Sequence, residues 1–185
     1  MTPGRIVGGV AVLVLLLAIG FLGNRIFTRE RPGAAGTEAP GEESEGIEFR
    51  TVTLYFGDPD SVGLSAERRD VLARSDQAGN LTGALEDLAE GPMTGLVPTF
   101  PPGTRVRHVF LDGSGTVTMD FSRELLAGPA GGLSRELMVL RSIARTLSAN
   151  FSGLSRFQLL VEGRAVPSLG GHLDTGRPLL LSEWN

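Results

Sequence analysis

The stretch Arg141–Gly163 reads RSIARTLSANFSGLSRFQLLVEG. It carries five hydroxyl side chains, one Asn and no His. It is either the wall of an active site or a helix and a strand that close a core. The apolar spacing points to packing. Leu133, Leu137, Leu140, Ala144, Leu147 and Phe151 recur at steps of four and three, the stripe of an amphipathic helix. Ser134 suits its N-cap. Gly153 then permits a turn, and Phe157, Leu159 and Val161 alternate as in a strand.

On this reading the hydroxyls have modest tasks. Thr146 borders the stripe and would return its hydroxyl to the Ser142 carbonyl one turn back. Ser142 and Ser148 read as solvent-facing, and Ser152 and Ser155 flank Gly153 as turn residues. A nucleophile needs a base beside it, and this segment supplies none.

Upstream, strand and helix signals alternate. Thr51–Phe56 places Val52, Leu54 and Phe56 on one face. Gly57–Gly63 is a turn by composition. Leu64–Arg74 tolerates either a helix or a short strand. Leu81, Leu85 and Leu88 form a second helical stripe, which Gly91-Pro92 ends. After a Pro-rich connection, Arg105–Leu111 and Thr116–Phe121 flank DGSG (112–115), a hairpin. Val106, His108 and Phe110 would share a face. An apolar patch, Pro178–Leu181, closes the chain. The expected fold is α+β, with two amphipathic helices on one face of a small mixed sheet.

The N-terminal part is of another kind. Ile6–Leu22 (IVGGVAVLVLLLAIGFL) runs for 17 residues without a charge. As a helix it would cover ~26 Å, near the short end of what spans a bilayer. We read residues 6–24 as a transmembrane anchor behind a short flank, 1–5. A cleaved signal peptide, with Ala18-Ile19-Gly20 as its small residues, is the other reading. Residues 25–46 are rich in Gly, Pro, Ala and Glu and read as a disordered acidic linker. Residues 47–185 make one domain. Lys and Arg alone would hold the C-terminal side in the cytoplasm. A short N-terminus before a long folded domain is instead the pattern of a signal-anchor, and with the family resemblance given below, which implies a domain outside the cytoplasmic membrane, we expect the domain on that side.

Composition excludes several function classes. The 185 residues carry a formal charge of −4, with no Cys. Residues 32–185 are net acidic with no basic patch, so nucleic acid is not an expected partner. Without Cys there is neither a disulfide framework nor a lipid-bearing Cys after the apolar run.

Candidate chemistry is sparse. No G-x-S-x-G occurs, and only His108 and His172 offer imidazole bases. His172 with Asp174 could be a base and its orienter, or half of a metal site. Asp58 and Asp60 lack the remaining ligands of a calcium loop. Glu86, Asp87 and Glu90 read as a solvated helix face. Asp120 and Glu162 would serve as a glycosidase pair only if adjacent strands brought them ~5–9 Å apart. No cofactor or metal site is expected.

The order of these blocks resembles the GerMN domain, found in sporulation, spore-germination and other cell-envelope proteins. The matching pieces are VTLYF (52–56), LSAERRDV (64–71), LEDLAEGP (85–92), FPPGTRVRHVFLD (100–112) and VTMDFS (117–122). ELMVLRSIARTLSANFSGLSRFQLLVEG (136–163) and LGGHLDTGRPL (169–179) follow. The resemblance implies a strand–strand–helix–strand–strand–helix–strand order, similar to ring-building modules, with Leu64–Val71 a strand. It implies no catalytic centre and no cofactor. Its shared positions here would be Gly91, Pro92, Pro101, Gly103, Asp120, Phe121, Glu136, Thr146, Leu147, Glu162, Gly163 and Gly171. Physically these are turn residues and core borders.

The resulting expectation is a single-pass, envelope-facing, non-enzymatic assembly or scaffold protein. It would contact a protein partner or copies of itself through a strand edge or a helix face, with Arg141 and Arg145 as partner-binding residues. The competing expectation is a peptidoglycan-binding or cell-wall-modifying accessory domain using His172 and Asp174, or Asp120 and Glu162.

Overall fold

A computed structural model describes residues 48–127 and 132–184. Residues Glu45–Asn185 form one compact unit. The expected anchor (6–24) and the expected linker (25–46) lie outside the described residues.

Strands β1 (Phe49–Gly57) and β2 (Leu64–Leu72) form an antiparallel hairpin with Val52 opposite Arg69 and Leu54 opposite Glu67. Helix α1 (Gln77–Glu90) follows, capped by the Asp76 side chain, which accepts the Gly79 amide. It ends where expected. Gly91 takes φ +106°, and its N–H returns to the Asp87 carbonyl.

Strands β3 (Val106–Leu111) and β4 (Thr116–Phe121) make the second hairpin. Asp112 holds its turn by accepting from the Ser114 and Thr116 amides, both at 2.9 Å. Helix α2 spans Gly132–Asn150. Strand β5 (Arg156–Val161) then pairs parallel with β4, Val117 opposite Phe157 and Met119 opposite Leu159. Two short strands, β6 (Arg164–Ala165) and β7 (Leu179–Leu180), pair antiparallel with β5. The β4–β5 join is tight: Gly115 has φ +79°, and a Cβ there would collide with the Gly153 carbonyl oxygen.

One core joins these elements. Val52, Leu54 and Phe56 of β1 meet Leu81, Leu85 and Leu88 of α1. Met119 and Phe121 of β4, Phe157 and Leu159 of β5, and Leu140, Ile143 and Leu147 of α2 complete it. All are buried. At ~1.5–3 kcal/mol for each large apolar side chain, this burial is the main force holding the unit together.

Four expectations are corrected. The strands form two hydrogen-bonded sheets instead of one, β1–β2 and a second sheet centred on β4 and β5. The reason is that the outer edge of β1 is occupied by side chains of α2, described below. Ser134 lies inside α2, which begins at Gly132, so it is not the N-cap. Leu133 is exposed and does not join the stripe. Finally, β3 carries a register shift between Val106 and His108. That bulge sends Val106, Val109 and Leu111 against the core and leaves His108 and Phe110 exposed on the other face, their rings 6.1 Å apart. His108 therefore shares a face with Phe110 but not with Val106.

Candidate functional site

The polar residues of the Arg141–Gly163 stretch converge on β1. Ser142, Thr146 and Asn150 stand four residues apart, one above another on a single face of α2. Ser142 Oγ donates to the Tyr55 carbonyl at 2.6 Å. Thr146 Oγ1 accepts from the Tyr55 amide at 3.1 Å. Asn150 Oδ1 accepts from the Thr53 amide at 2.8 Å, and its Nδ2 donates to the Thr53 carbonyl at 2.7 Å. The ridge thus does what a neighbouring strand would do: it pairs the outward N–H and C=O groups of alternate residues. Val97 continues the row by exchanging two backbone bonds with Gly57, each 2.8 Å.

Two readings of the sequence are overturned here. Thr146 is not occupied within its own helix: its Oγ1 reaches across to accept from the Tyr55 amide, which would otherwise be unpaired. Ser142 is fully buried instead of solvent-facing, and it also bonds Thr99 Oγ1 at 2.9 Å. Asn150 escaped notice as a functional residue, although the twice-repeated spacing of four was the available signal.

The carboxylate pair is equally committed. Parallel pairing of β4 with β5 sets Asp120 opposite Leu160 and so brings Glu162 close. One guanidinium then bridges them, with Arg107 Nη1 3.2 Å from Asp120 Oδ2 and 3.2 Å from Glu162 Oε2. Asp120 Oδ1 also accepts the Gly163 amide at 2.8 Å, and Glu162 Oε1 accepts the Arg123 amide at 3.1 Å. Glu162 and Gly163 both have positive φ, 51° and 77°, as the two-residue turn between β5 and β6 demands. The cluster locks that turn to β4 and β3.

His172 and Asp174 are not joined as base and orienter. Asp174 pairs with Arg177 at 3.1 Å. His172 Nδ1 lies 3.6 Å from Glu136 Oε1. Glu136, buried on α2, accepts the Leu173 amide at 2.7 Å, the His172 amide at 3.2 Å and Ser168 Oγ at 3.0 Å. Burial pushes its carboxyl up, but these donors outweigh burial and hold it below the ordinary range. Glu136 is a clasp for the Ser168–Leu173 loop.

Glu67 plays the same part for the segment after α1. It accepts the Met93 and Thr94 amides, Thr94 Oγ1 at 2.7 Å and Arg69 Nη2. Burial raises its carboxyl, yet the bonds from Arg69, Thr94 and Met93 bring it down to about 2. Asp87 lies 3.6 Å from the same guanidinium; burial pushes it up and Arg69 opposes. Glu86 pairs with Arg74 at 2.8 Å, and Glu90 stays exposed.

Asp58 spends its oxygens on the Asp60 amide and Ser65 Oγ, both at 2.8 Å, which hold it below the ordinary range. Among the described residues, no three His, Cys, Asp or Glu stand where they could hold a metal ion.

Concavities also mark the surface of the described residues, and two bear on the expected sites. One, about 630 Å³, is lined by Glu86, Glu90, Pro98, Phe100, Thr104 and Arg105 among others. A smaller one, about 180 Å³, lies between Val62–Leu64 and Met138, Arg141 and Arg145. There the structure places the two arginines on one side of α2. Arg141 is exposed, and Arg145 lies over the Tyr55 ring at 5.2 Å.

The fold and these networks define a class: a small α+β packing module whose polar side chains finish its own edges and loops. The family model described as "Germane: Sporulation and spore germination" matches residues 53–167, and the chain belongs to that family, a GerMN-type domain. Among curated proteins, none matches.

Three solved structures share the fold. A candidate lipoprotein from Clostridium perfringens is 22% identical, with TM-score 0.53, covering 73% of this chain and 89% of that one. The first GerMN domain of the sporulation protein GerM from Bacillus subtilis is 22% identical, with TM-score 0.53, covering 68% and 92%. The tandem GerMN domains of the same protein give 24%, TM-score 0.52, 68% and 45%, so this chain spans about half of the tandem.

Proposed function

We propose that the chain is a membrane-anchored, extracytoplasmic, non-enzymatic assembly module of the cell envelope, in sporulation, germination or wall-related structure. The observation that carries the reading is that the carboxylates and hydroxyls able to do chemistry are engaged in holding the fold, while His172 and Asp174 are not joined as base and orienter. Ser142, Thr146, Asp120, Glu162 and Glu136 each bond a main-chain group or a fold-locking arginine. The family match supports the setting, as do structural relatives named as a sporulation protein and a candidate lipoprotein.

The anchor would be residues 6–24, which lie outside the described residues; among the described residues no helix is long and apolar enough to cross a membrane. The partner is a protein, and tethering to one membrane raises the effective concentration at which a modest surface works. Arg141 and Arg145, beside the exposed Val62, are the contact residues in this reading.

Crosslinking the full chain in intact cells, followed by identification of the bound protein, tests it. The expected result is a discrete membrane-fraction complex that weakens in the Arg141→Glu/Arg145→Glu variant. Retention on purified peptidoglycan that is lost in His172→Ala, with no protein complex, would contradict it and mark a wall binder.

A further inference from the structure

The two edges of the β1–β2 sheet are treated differently. On β1, the outward groups of Thr53, Tyr55 and Gly57 are all paired, by α2 and by Val97. Those residues stand opposite Arg68, Ala66 and Leu64 of β2. Opposite residues in an antiparallel ladder turn their polar groups the same way, both inward or both outward. The N–H and C=O of Leu64, Ala66, Arg68, Asp70 and Leu72 therefore point to the far edge of β2. Among the described residues, nothing hydrogen-bonds the backbone of Ala66, Arg68 or Asp70. The side chains at these three positions are exposed as well. A nine-residue strand open along one edge is a template for another strand.

We propose that this edge pairs, antiparallel and two-fold symmetric, with β2 of a second copy of the chain. The proposal rests on the assembly reading above and specifies its surface. The self-complementarity lies in the charges. With Arg69 on the axis, Arg68 faces Asp70 of the second copy and Asp70 faces its Arg68. Ala66 and Leu72 face each other's counterparts in the same way. Opposite charges across a ladder are stabilising, and a symmetric interface makes each such pair twice. The neighbouring register, centred on Arg68, would set two Arg68 side chains against each other and is disfavoured.

Arg69 is no obstacle at the axis. Its guanidinium turns to its own body, where it meets Glu67, Asp87 and the Gly91 carbonyl. Beneath the second half of the edge runs a groove of about 490 Å³, bordered by Asp70, Leu72, Arg74, Gly83 and Glu86. It leaves room for side chains of an added strand, which is how strand addition gains specificity.

The chain has no Cys, so introduced thiols are unique. Full chain in detergent micelles carrying Ala66→Cys is mixed with full chain carrying Leu72→Cys and treated with a short bismaleimide. The mixture links into a dimer, and either variant alone links far less. Arg68→Glu or Asp70→Arg alone abolishes linking, and the double variant restores it because every pair is again opposite in sign. Equal linking of Ala66→Cys chains with themselves, or failure of the double variant to restore the dimer, would overturn the proposal. Sedimentation of the unlinked chain separates the two levels. An oligomer that forms without 66–72 linking refutes this edge yet leaves the assembly reading standing.

Discussion

Asn150 makes more structural bonds than any hydroxyl in its segment: two to Thr53 and one, at 2.7 Å, to the Thr146 carbonyl. Replacing it by Ala leaves both polar groups of Thr53 without their side-chain partner. We expect a loss of ~1–3 kcal/mol in urea unfolding, the range for an orphaned buried polar group. Thr146→Val keeps the shape of the side chain but removes the acceptor for the Tyr55 amide. It should cost ~1–2 kcal/mol by the same measurement, whereas Ser148→Ala, on the exposed side of α2, should cost close to nothing. Glu67 adds a pH dependence. Its carboxyl sits at about 2 in the folded chain against an ordinary 4.5, so the unfolded chain takes up its proton first. Its contribution is complete above pH 4.5 and disappears as pH falls toward 2. Glu136, lowered in the same direction, reinforces the trend. Urea midpoints at pH 7 and pH 3 should differ by less in Glu67→Gln than in the parent chain.

At the scale of elements, the helices and the second hairpin were legible because their signals are local. Leu81, Leu85 and Leu88 spell a buried face, and Gly91-Pro92 spells its end. The β1 stripe of Val52, Leu54 and Phe56 was equally direct. Among the polar residues, what failed was whatever depended on a partner far along the chain. Thr146 and Ser142 sit 91 and 87 residues from Tyr55, and no local pattern announces that bond. The bulge in β3 shifts register without a Gly or Pro to mark it, so strict alternation misplaced His108. The carboxylates Asp120 and Glu162 were seen as a pair, but the guanidinium between them belongs to a third strand. One element-level consequence is testable. Glu136→Gln should free the Ser168–Leu173 loop, raising amide exchange at His172 and Leu173 while α2 stays protected. Loss of protection throughout α2 would mean that Glu136 supports the helix itself.

At the scale of the whole molecule, the account is that α2 serves as a substitute strand. It closes one edge of the β1–β2 sheet at Thr53 and Tyr55 and leaves the Ala66–Asp70 stretch of the other open, so polar chemistry in this chain is directed at assembling backbone. Amide hydrogen exchange, residue by residue, tests that claim most directly, because both edges are read in one experiment. The Thr53 and Tyr55 amides should be strongly protected, and the loss should be selective in Asn150→Ala and Thr146→Val respectively. In dilute monomeric chain the Ala66 and Arg68 amides should exchange fast. If Thr53 and Tyr55 exchange as fast as Ala66 and Arg68, the ridge on α2 does not close that edge and its polar side chains need another purpose.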